Sequence, residues 1–513
     1  MQDAKRVANN TGILYLRMVI TVFISLYVTR LVLAALGTED FGIFSVVGGA
    51  ITMLTFLNAA MTSATQRFMS YAKGEANNMK LKNIFNVSLI LHFLIAIAIT
   101  VILEVAGYFF FNGVLEINPE RINAAKLIYQ FLIVSTFFTI ISVPYDAVIN
   151  ANENMLFVAI IGVIEAFLKL AIAYYVTYTV FDKLISYGFL MAILIILLLV
   201  CRQLYCHIKY EEVDINLKKY KDKLLFKEMS RFAGWSLLGS SSGMLSNYGQ
   251  GIVLNMYFGT LINASQGISN QVNGQLSSFS NTMLKALNPV IAKSEGAGNR
   301  KMLISSVKLG SKFSYFLLSF FAIPVIIEMP LILNLWLKDV PDYAVTFCRL
   351  LLIKNLHDQL FVTLAPAIAA VGNIKKYQIY ISLLAFTPLI ITAILFSMGY
   401  EPYVLYIVFI IQSAARSYFI TLYHANKNLN LSISGFLNDV VFRCLSVALI
   451  VFIIGSLLHI FLEVGYLRLS LVIIICSILN LLGLAFIVLK SNEKKIIYEL
   501  ILPIIKRLGI IKA

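Results

Sequence analysis

ILYLRMVITVFISLYVTRLVLAAL, residues Ile13 to Leu36, is the stretch on which the fold turns. Crossing a bilayer takes about 20 mostly apolar residues. This stretch is long enough, and it carries two arginines and no acid. No small-residue cleavage site of the A-x-A kind follows it, so it is expected to remain as a membrane helix. The same template recurs along the chain. Spans are expected near 13–36, 41–63, 84–111, 122–149, 155–181, 184–206, 232–258, 261–287, 304–335, 343–371, 377–399, 403–425, 433–460 and 467–489. Composition agrees: 59% of the 513 residues are hydrophobic, 13% are charged, and the mean hydropathy is +0.85. A soluble chain of this length needs more polar surface to cover itself.

The net charge of +15 has no soluble module to present it, so nucleic acid is excluded as a partner. In a membrane chain, Lys and Arg report topology first. One side receives Lys5, Arg6, Arg67, Lys73, Lys80, Lys82, the block from Lys209 to Arg231, Lys293, Arg300, Lys301, Lys375, Lys376, Lys427 and the tail from Lys490 to Lys512. The other side has short loops at Thr38 to Asp40, Glu116 to Arg121, Asp182-Lys183, Lys338 to Asp342 and Glu401. The bias is roughly thirty to eight and puts both termini in the cytoplasm.

The longest polar segment, Ile208 to Ser230, reads as a cytoplasmic linker with an amphipathic face for anionic lipid. The expected organisation is therefore a six-helix bundle over 1–207, a linker over 208–231, and a second six-helix bundle over 232–431. Two additional helices over 432–489 and a basic tail over 490–513 follow. The bundles echo each other. Ala72-Lys73-Gly74-Glu75 matches Ala292-Lys293-Ser294-Glu295, 220 residues on, and Leu36-Gly37-Thr38 matches Phe258-Gly259-Thr260. Asn152-Glu153-Asn154 faces Gly372-Asn373 at a similar offset. The fold class is thus an all-α membrane protein of about fourteen helices, built as two parallel six-helix repeats plus two helices.

Embedded polar residues then mark the site. A cation facing hydrocarbon costs about 2.5–3.5 kcal/mol on insertion scales, so Arg17, Arg30, Lys169, Lys285, Lys354, Arg416 and Arg443 must find water, partners or ligand. Glu165 with Lys169, Asp439 with Arg443, and Lys354 with Asp358 have the spacing of helical ion pairs. Arg17 and Lys285 lie near cytoplasmic ends, where snorkelling suffices. Arg30 has no carboxylate in its own helix and is the cleanest anion-binding cation. Three polar stripes accompany these charges: Gln266, Asn270, Asn273, Ser277, Asn281 and Lys285; Ser236, Ser240, Gly243, Asn247, Gln250 and Asn255; and Asn58, Thr62 and Gln66. Amides and hydroxyls both donate and accept, which suits a hydrated pathway or sugar hydroxyls; helix packing through small polar residues is the competing reading. The candidate substrate-binding set is Arg17, Arg30, Asn58, Asn247, Gln250, Asn255, Gln266, Asn270, Asn273, Lys285 and Lys354. Five scattered cysteines and five scattered histidines give no disulfide framework or metal site. There is no Walker loop, catalytic cluster or long outer loop, so neither a cofactor nor an enzymatic activity is expected.

Asn9-Asn10-Thr11, Thr29-Arg30-Leu31, Leu36 to Phe44, Asn255 to Gly259, Gln266 to Val272 and Pro289 to Ala292 together resemble the Wzx-type polysaccharide flippases. These belong to the multidrug/oligosaccharidyl-lipid/polysaccharide superfamily. The resemblance implies an alternating-access transporter in the bacterial inner membrane. It would move an undecaprenyl-diphosphate-linked oligosaccharide from the cytoplasmic to the periplasmic leaflet for O-antigen or capsule synthesis. Membrane lipids, a polymerase and glycosyltransferases would be its partners, and Arg30 and Lys285 would meet the diphosphate. An ion-coupled drug exporter and a peptidoglycan-precursor flippase are the rival readings. Against the exporter, Ile13 to Gly37 lacks the acid such exporters keep there, although Asp146 and Glu165 leave room for ion coupling.

Overall fold

Inside a bilayer no water is present to bond backbone N–H and C=O groups, so a chain this apolar must satisfy them within helices. The structure, a computed structural model, describes residues 2–52, 55–114, 119–337 and 340–494, and every regular element among them is helical. The chain divides into two compact units. The first, Gly12–Ser240, holds most of α1 (Gln2–Thr52), then α2 (Thr55–Gly74), α3 (Asn78–Phe109), α4 (Ile122–Ala151), α5 (Met155–Tyr178), α6 (Lys183–Lys209) and the start of α7 (Lys223–Phe258). The second comprises Met1–Thr11 and Ser241–Ala513. It holds the rest of α7, then α8 (Thr260–Gly296), α9 (Arg300–Ile327), α10 (Met329–Trp336), α11 (Ala344–Phe361) and α12 (Leu364–Val371). After these come α13 (Lys375–Ser397), α14 (Val404–Ala415), α15 (Leu422–Leu429), α16 (Ile433–Phe436), α17 (Arg443–Phe461) and α18 (Tyr466–Gly483). Single π-helical turns at Arg416–Thr421 and Leu437–Phe442 join α14 to α15 and α16 to α17. The basic tail beyond Lys494, the Asn58 side chain, Glu116 and Lys338 lie outside the described residues.

Ten helical runs among the described residues are long and apolar enough to cross a membrane. The expected spans near 41–63, 232–258, 261–287 and 343–371 are not among them. Three of these four carry the polar stripes, on α2, α7 and α8, and the fourth carries Lys354, His357 and Asp358. The polarity of α7, α8 and α11 keeps those three out of an apolarity count, whereas 41–63 runs across positions 53 and 54, which lie outside the described residues. The span expected near 304–335 is broken at Glu328 into α9 and α10, and the one near 343–371 is broken into α11 and α12.

The internal repeat is written in the backbone. Gly37 turns the chain at φ 77, ψ 174, and Gly259 does so at φ 77, ψ −172. Ala76 (φ 54) and Gly298 (φ 68) close the next turn, each followed by a capping asparagine. Asn77 accepts from the Lys80 backbone N–H at 3.0 Å, and Asn299 from that of Met302 at 3.1 Å. These pairs lie 222 residues apart, whereas the Ala-Lys-x-Glu match lies at 220. The true register pairs the Asn77 N–H bond to Ala72 O with the Asn299 N–H bond to Ser294 O. Turn geometry sets the register; the Gly37–Gly259 match keeps it, and the Ala-Lys-x-Glu match is slipped by two residues. A left-handed conformation costs an L-residue about 1–2 kcal/mol, and the second copy avoids this with glycine. Ala76→Gly is therefore expected to stabilise the protein by about 0.5–1 kcal/mol after the added freedom of the unfolded chain is counted. The check is a raised thermal midpoint in detergent.

Ion pairs tie the helix ends. In the first unit, Arg121 donates Nε to Asp40 at 2.8 Å and Nη1 to Asp182 at 2.6 Å. Burial alone pushes the Asp182 carboxyl up, but the hydrogen bonds from Arg121 and from the Ile185 backbone N–H outweigh it and hold the group below the usual carboxylate range. A depressed carboxylate stabilises the fold above its unfolded value and loses that contribution as the pH falls through the folded one. The loss should therefore begin below about pH 4. It should be smaller in Arg121→Gln, which keeps only the backbone hydrogen bonds to Asp182 and at neutral pH is less stable by on the order of 1 kcal/mol. In the second unit, Lys308, about two turns into α9, meets Asp439 at 2.8 Å, and Glu328, where α9 stops, meets His459 at 2.9 Å. Both partners are twenty residues apart in their own helices, about 30 Å, so α9 and α17 run parallel and are pinned across one hydrocarbon thickness. Asp439 was expected to pair with Arg443. Instead it binds Lys308 and Lys490, while Arg443 donates to Ile487 O at 3.0 Å. Lys312, with no exposed side-chain surface, binds Glu493 at 2.7 Å.

Candidate functional site

The first unit contains a pocket of about 330 Å³ between α1 and α5. Arg17, Thr21 and Ser25, four residues apart, put one polar face of α1 into it. Across from them, α5 supplies Gly162, Glu165 and Lys169. Gly162 is what admits the arginine: a Cβ built there would lie 2.2 Å from Arg17 Nε and 2.6 Å from its Cζ. The guanidinium occupies the space that a side chain at position 162 would fill. Its Nε is buried without a hydrogen-bond partner, and no hydrogen bond from Arg17 to any described residue is formed. Glu165 gives its oxygen to Lys169 at 2.7 Å, the expected i,i+4 pair, and acts on Arg17 only through space. With two cations and one carboxylate, the pocket has one positive charge in excess. Asp146, the other acid in this region, is taken by Arg202 at 3.0 Å.

Arg30 is not in this pocket. Thirteen residues further on, it falls on another side of α1; it is exposed and forms no ion pair among the described residues.

The second unit gathers a different polar group. The α8 stripe meets α11 through Asn355, whose amide donates to Asn273 Oδ1 at 2.8 Å and closely to Ser277 Oγ. Gln359 donates to Asn355 in turn at 3.1 Å. Lys354 forms its expected pair with Asp358 at 2.8 Å, and Asp358 also receives Arg416 at 2.8 Å and the Ser413 hydroxyl. So one carboxylate holds the candidate ligand-binding Lys354 together with the embedded Arg416. Gln266 is buried, its Oε1 3.0 Å from where a Cβ on Gly251 would stand, so this part of the stripe is α7–α8 packing. Gln250 is buried and donates to Asn247 at 3.3 Å. Asn247, Asn255, Asn270 and Lys285 are exposed along their helices.

The polar candidates are thus divided between roles. Asn273, Ser277, Gln266, Lys354 and Arg416 hold helices together, Arg17 faces a pocket, and Asn247, Asn255, Asn270, Lys285 and Arg30 lie on exposed faces. Sequence reasoning missed Gly162, Thr21, Ser25, Asn355 and Ser413. The i,i+4 run Arg17, Thr21, Ser25 was legible; that Gly162 faces it was not.

Residues 14–175 match the MatE family model. No curated protein matches the chain in sequence. Among solved structures, a multidrug resistance MATE family transporter of the MOP superfamily in its outward-facing conformation superposes with a TM-score of 0.71 at 15% identity. That match covers 85% of this chain and 96% of the other. A MATE transporter in the straight conformation gives 0.71 at 14%, covering 85% and 97%. A MOP superfamily transporter from Pyrococcus furiosus, with a binding pocket of reverse polarity that suggests a different function, gives 0.70 at 14%, covering 84% and 97%.

Proposed function

We propose that this chain, whose residues 14–175 match the MatE family model and whose fold is that of MATE transporters, is a flippase for an undecaprenyl-diphosphate-linked oligosaccharide. It would work by alternating access in the bacterial inner membrane, upstream of O-antigen or capsule assembly. The observation that carries this reading is Arg17: a guanidinium with its Nε buried, unbonded, in a pocket of excess positive charge. Such a group is costly unless an anion completes it, and a guanidinium binds phosphate oxygens through parallel N–H donors. At about 330 Å³ the pocket suits a phosphate group rather than a whole saccharide.

Replacing the chromosomal gene with Arg17→Ala is expected to lower surface polysaccharide about tenfold or more, and to accumulate lipid-linked repeat units, at unchanged protein abundance. Normal polysaccharide at normal abundance would falsify the assignment. Export of cationic drugs, which the likeness to a multidrug transporter favours, is the second reading; in the same strains it predicts altered dye efflux with polysaccharide intact.

A further inference from the structure

A groove of about 650 Å³ runs between α9, α11 and α17. Its walls are apolar for most of their length, formed by Ile323, Ile353, Leu445, Leu449 and Phe452, with Leu449 60% exposed. One end is different. There Arg349 lies with Nε on Ile326 O at 2.9 Å and Nη2 on Ile327 O at 3.2 Å, the carbonyls that α9 leaves unbonded where it stops. These bonds fix the guanidinium and leave Nη1 without a protein partner among the described residues. His459 lies at the same end, Nδ1 2.9 Å from Glu328 Oε1, its other ring nitrogen without a partner among the described residues. Arg468 takes the second oxygen of Glu328 at 2.8 Å. Two guanidiniums against one carboxylate give this end of the groove a net positive charge.

Length selects the occupant. From Leu445 to His459 the groove follows fourteen residues of α17, about 21 Å. One leaflet of a ~30 Å hydrocarbon core is about 15 Å deep. The groove therefore spans one leaflet and the start of its headgroup zone, with the charged end at the surface where α9 stops. We propose that it binds an anionic phospholipid, one acyl chain along α17 and the phosphate headgroup at Arg349 and His459. Apolar walls take the chain, and the partnerless Nη1 takes the phosphate. The site lies wholly within the second unit and does not depend on what the protein transports.

The test uses the full-length protein with Trp235 and Trp336 changed to Phe and a single reporter, Phe452→Trp, in the groove. It is reconstituted into dioleoylphosphatidylcholine vesicles containing rising fractions of brominated-chain phosphatidylglycerol or brominated-chain phosphatidylcholine. Half-maximal quenching is expected at an about fivefold lower fraction of the phosphatidylglycerol, the effect of one basic residue near an anionic headgroup. Arg349→Gln should remove the difference, and Ser456→Glu, which puts a carboxylate on the groove wall, should remove or reverse it. Should Arg349→Gln fail to insert, Ser456→Glu decides alone. A reporter at Ile390→Trp, on the exposed face of α13, should show no headgroup preference. Equal quenching by the two lipids at position 452, a preference that survives Ser456→Glu, or the same preference at 390 would overturn the proposal. So would displacement of the phosphatidylglycerol by equimolar undecaprenyl phosphate, which would name the carrier lipid as occupant.

Discussion

Gly162→Ala lowers transport about 10- to 100-fold while leaving the protein as stable as before or more so. The fold-range corresponds to losing one charge-assisted hydrogen bond to the substrate. In a helix interior, alanine is favoured over glycine by about 0.5–1 kcal/mol. At most positions without free space the clash would cancel that gain. Here the three atoms nearest the new methyl, at 2.2, 2.6 and 2.7 Å, all belong to the far end of the Arg17 side chain, which swings away at small cost. The fold keeps the helix propensity, and the pocket loses its cation from the place where phosphate would meet it. Thermal midpoint and surface polysaccharide, measured on one variant, should therefore move in opposite directions. A raised midpoint with full transport would show that the pose of Arg17 is irrelevant.

Glu328→Ala has the largest expected effect on stability, about 3–5 kcal/mol. Glu328 is fully buried, and Arg468 beside it is 5% exposed. Removing the carboxylate strands a guanidinium inside the second unit and also frees His459 from its place at the end of α9. Arg468→Leu in the same chain should restore much of the loss, because an apolar pair of similar volume is tolerated where a lone charge is not. Unfolding in detergent and abundance in isolated membranes measure both. If the single variant melts within a degree or two of the parent, the pair is not what holds α9, α17 and α18 together.

The helical architecture was legible because apolar length is enough to place most spans, and hydrocarbon leaves the backbone no alternative. The repeat was legible too: the Gly37–Gly259 match lies at the backbone's own offset of 222, and the Ala-Lys match two residues off it. Ala72-Lys73 and Ala292-Lys293 look alike, but what the fold repeats is a positive-φ residue followed by an asparagine cap, at Ala76-Asn77 and Gly298-Asn299. Identity of side chains on a helix surface is weakly constrained; a left-handed turn is strongly constrained. The site was less legible. Charges four apart in one helix were readable as pairs, and Glu165–Lys169 and Lys354–Asp358 formed. Pairs between helices were not: Asp439 chose Lys308 and Lys490 over Arg443, and Asn355 drew Asn273 and Ser277 into packing. Periodicity says which residues share a face, not which helix that face will meet. Arg17 stood out for the same reason: what distinguishes it is the missing side chain at Gly162, an absence on a different helix.

The lysines of α9 fasten α17 and α18 to the second unit by charge as well as by packing. Lys308 and Lys312 have their carboxylates on the segments flanking those two helices, at Asp439 before α17 and Glu493 after α18. A chain cut after α15 would lose both carboxylates and the apolar cover of α9 in one step, so the buried Lys312 ammonium and the hairpin that answers it stand or fall together.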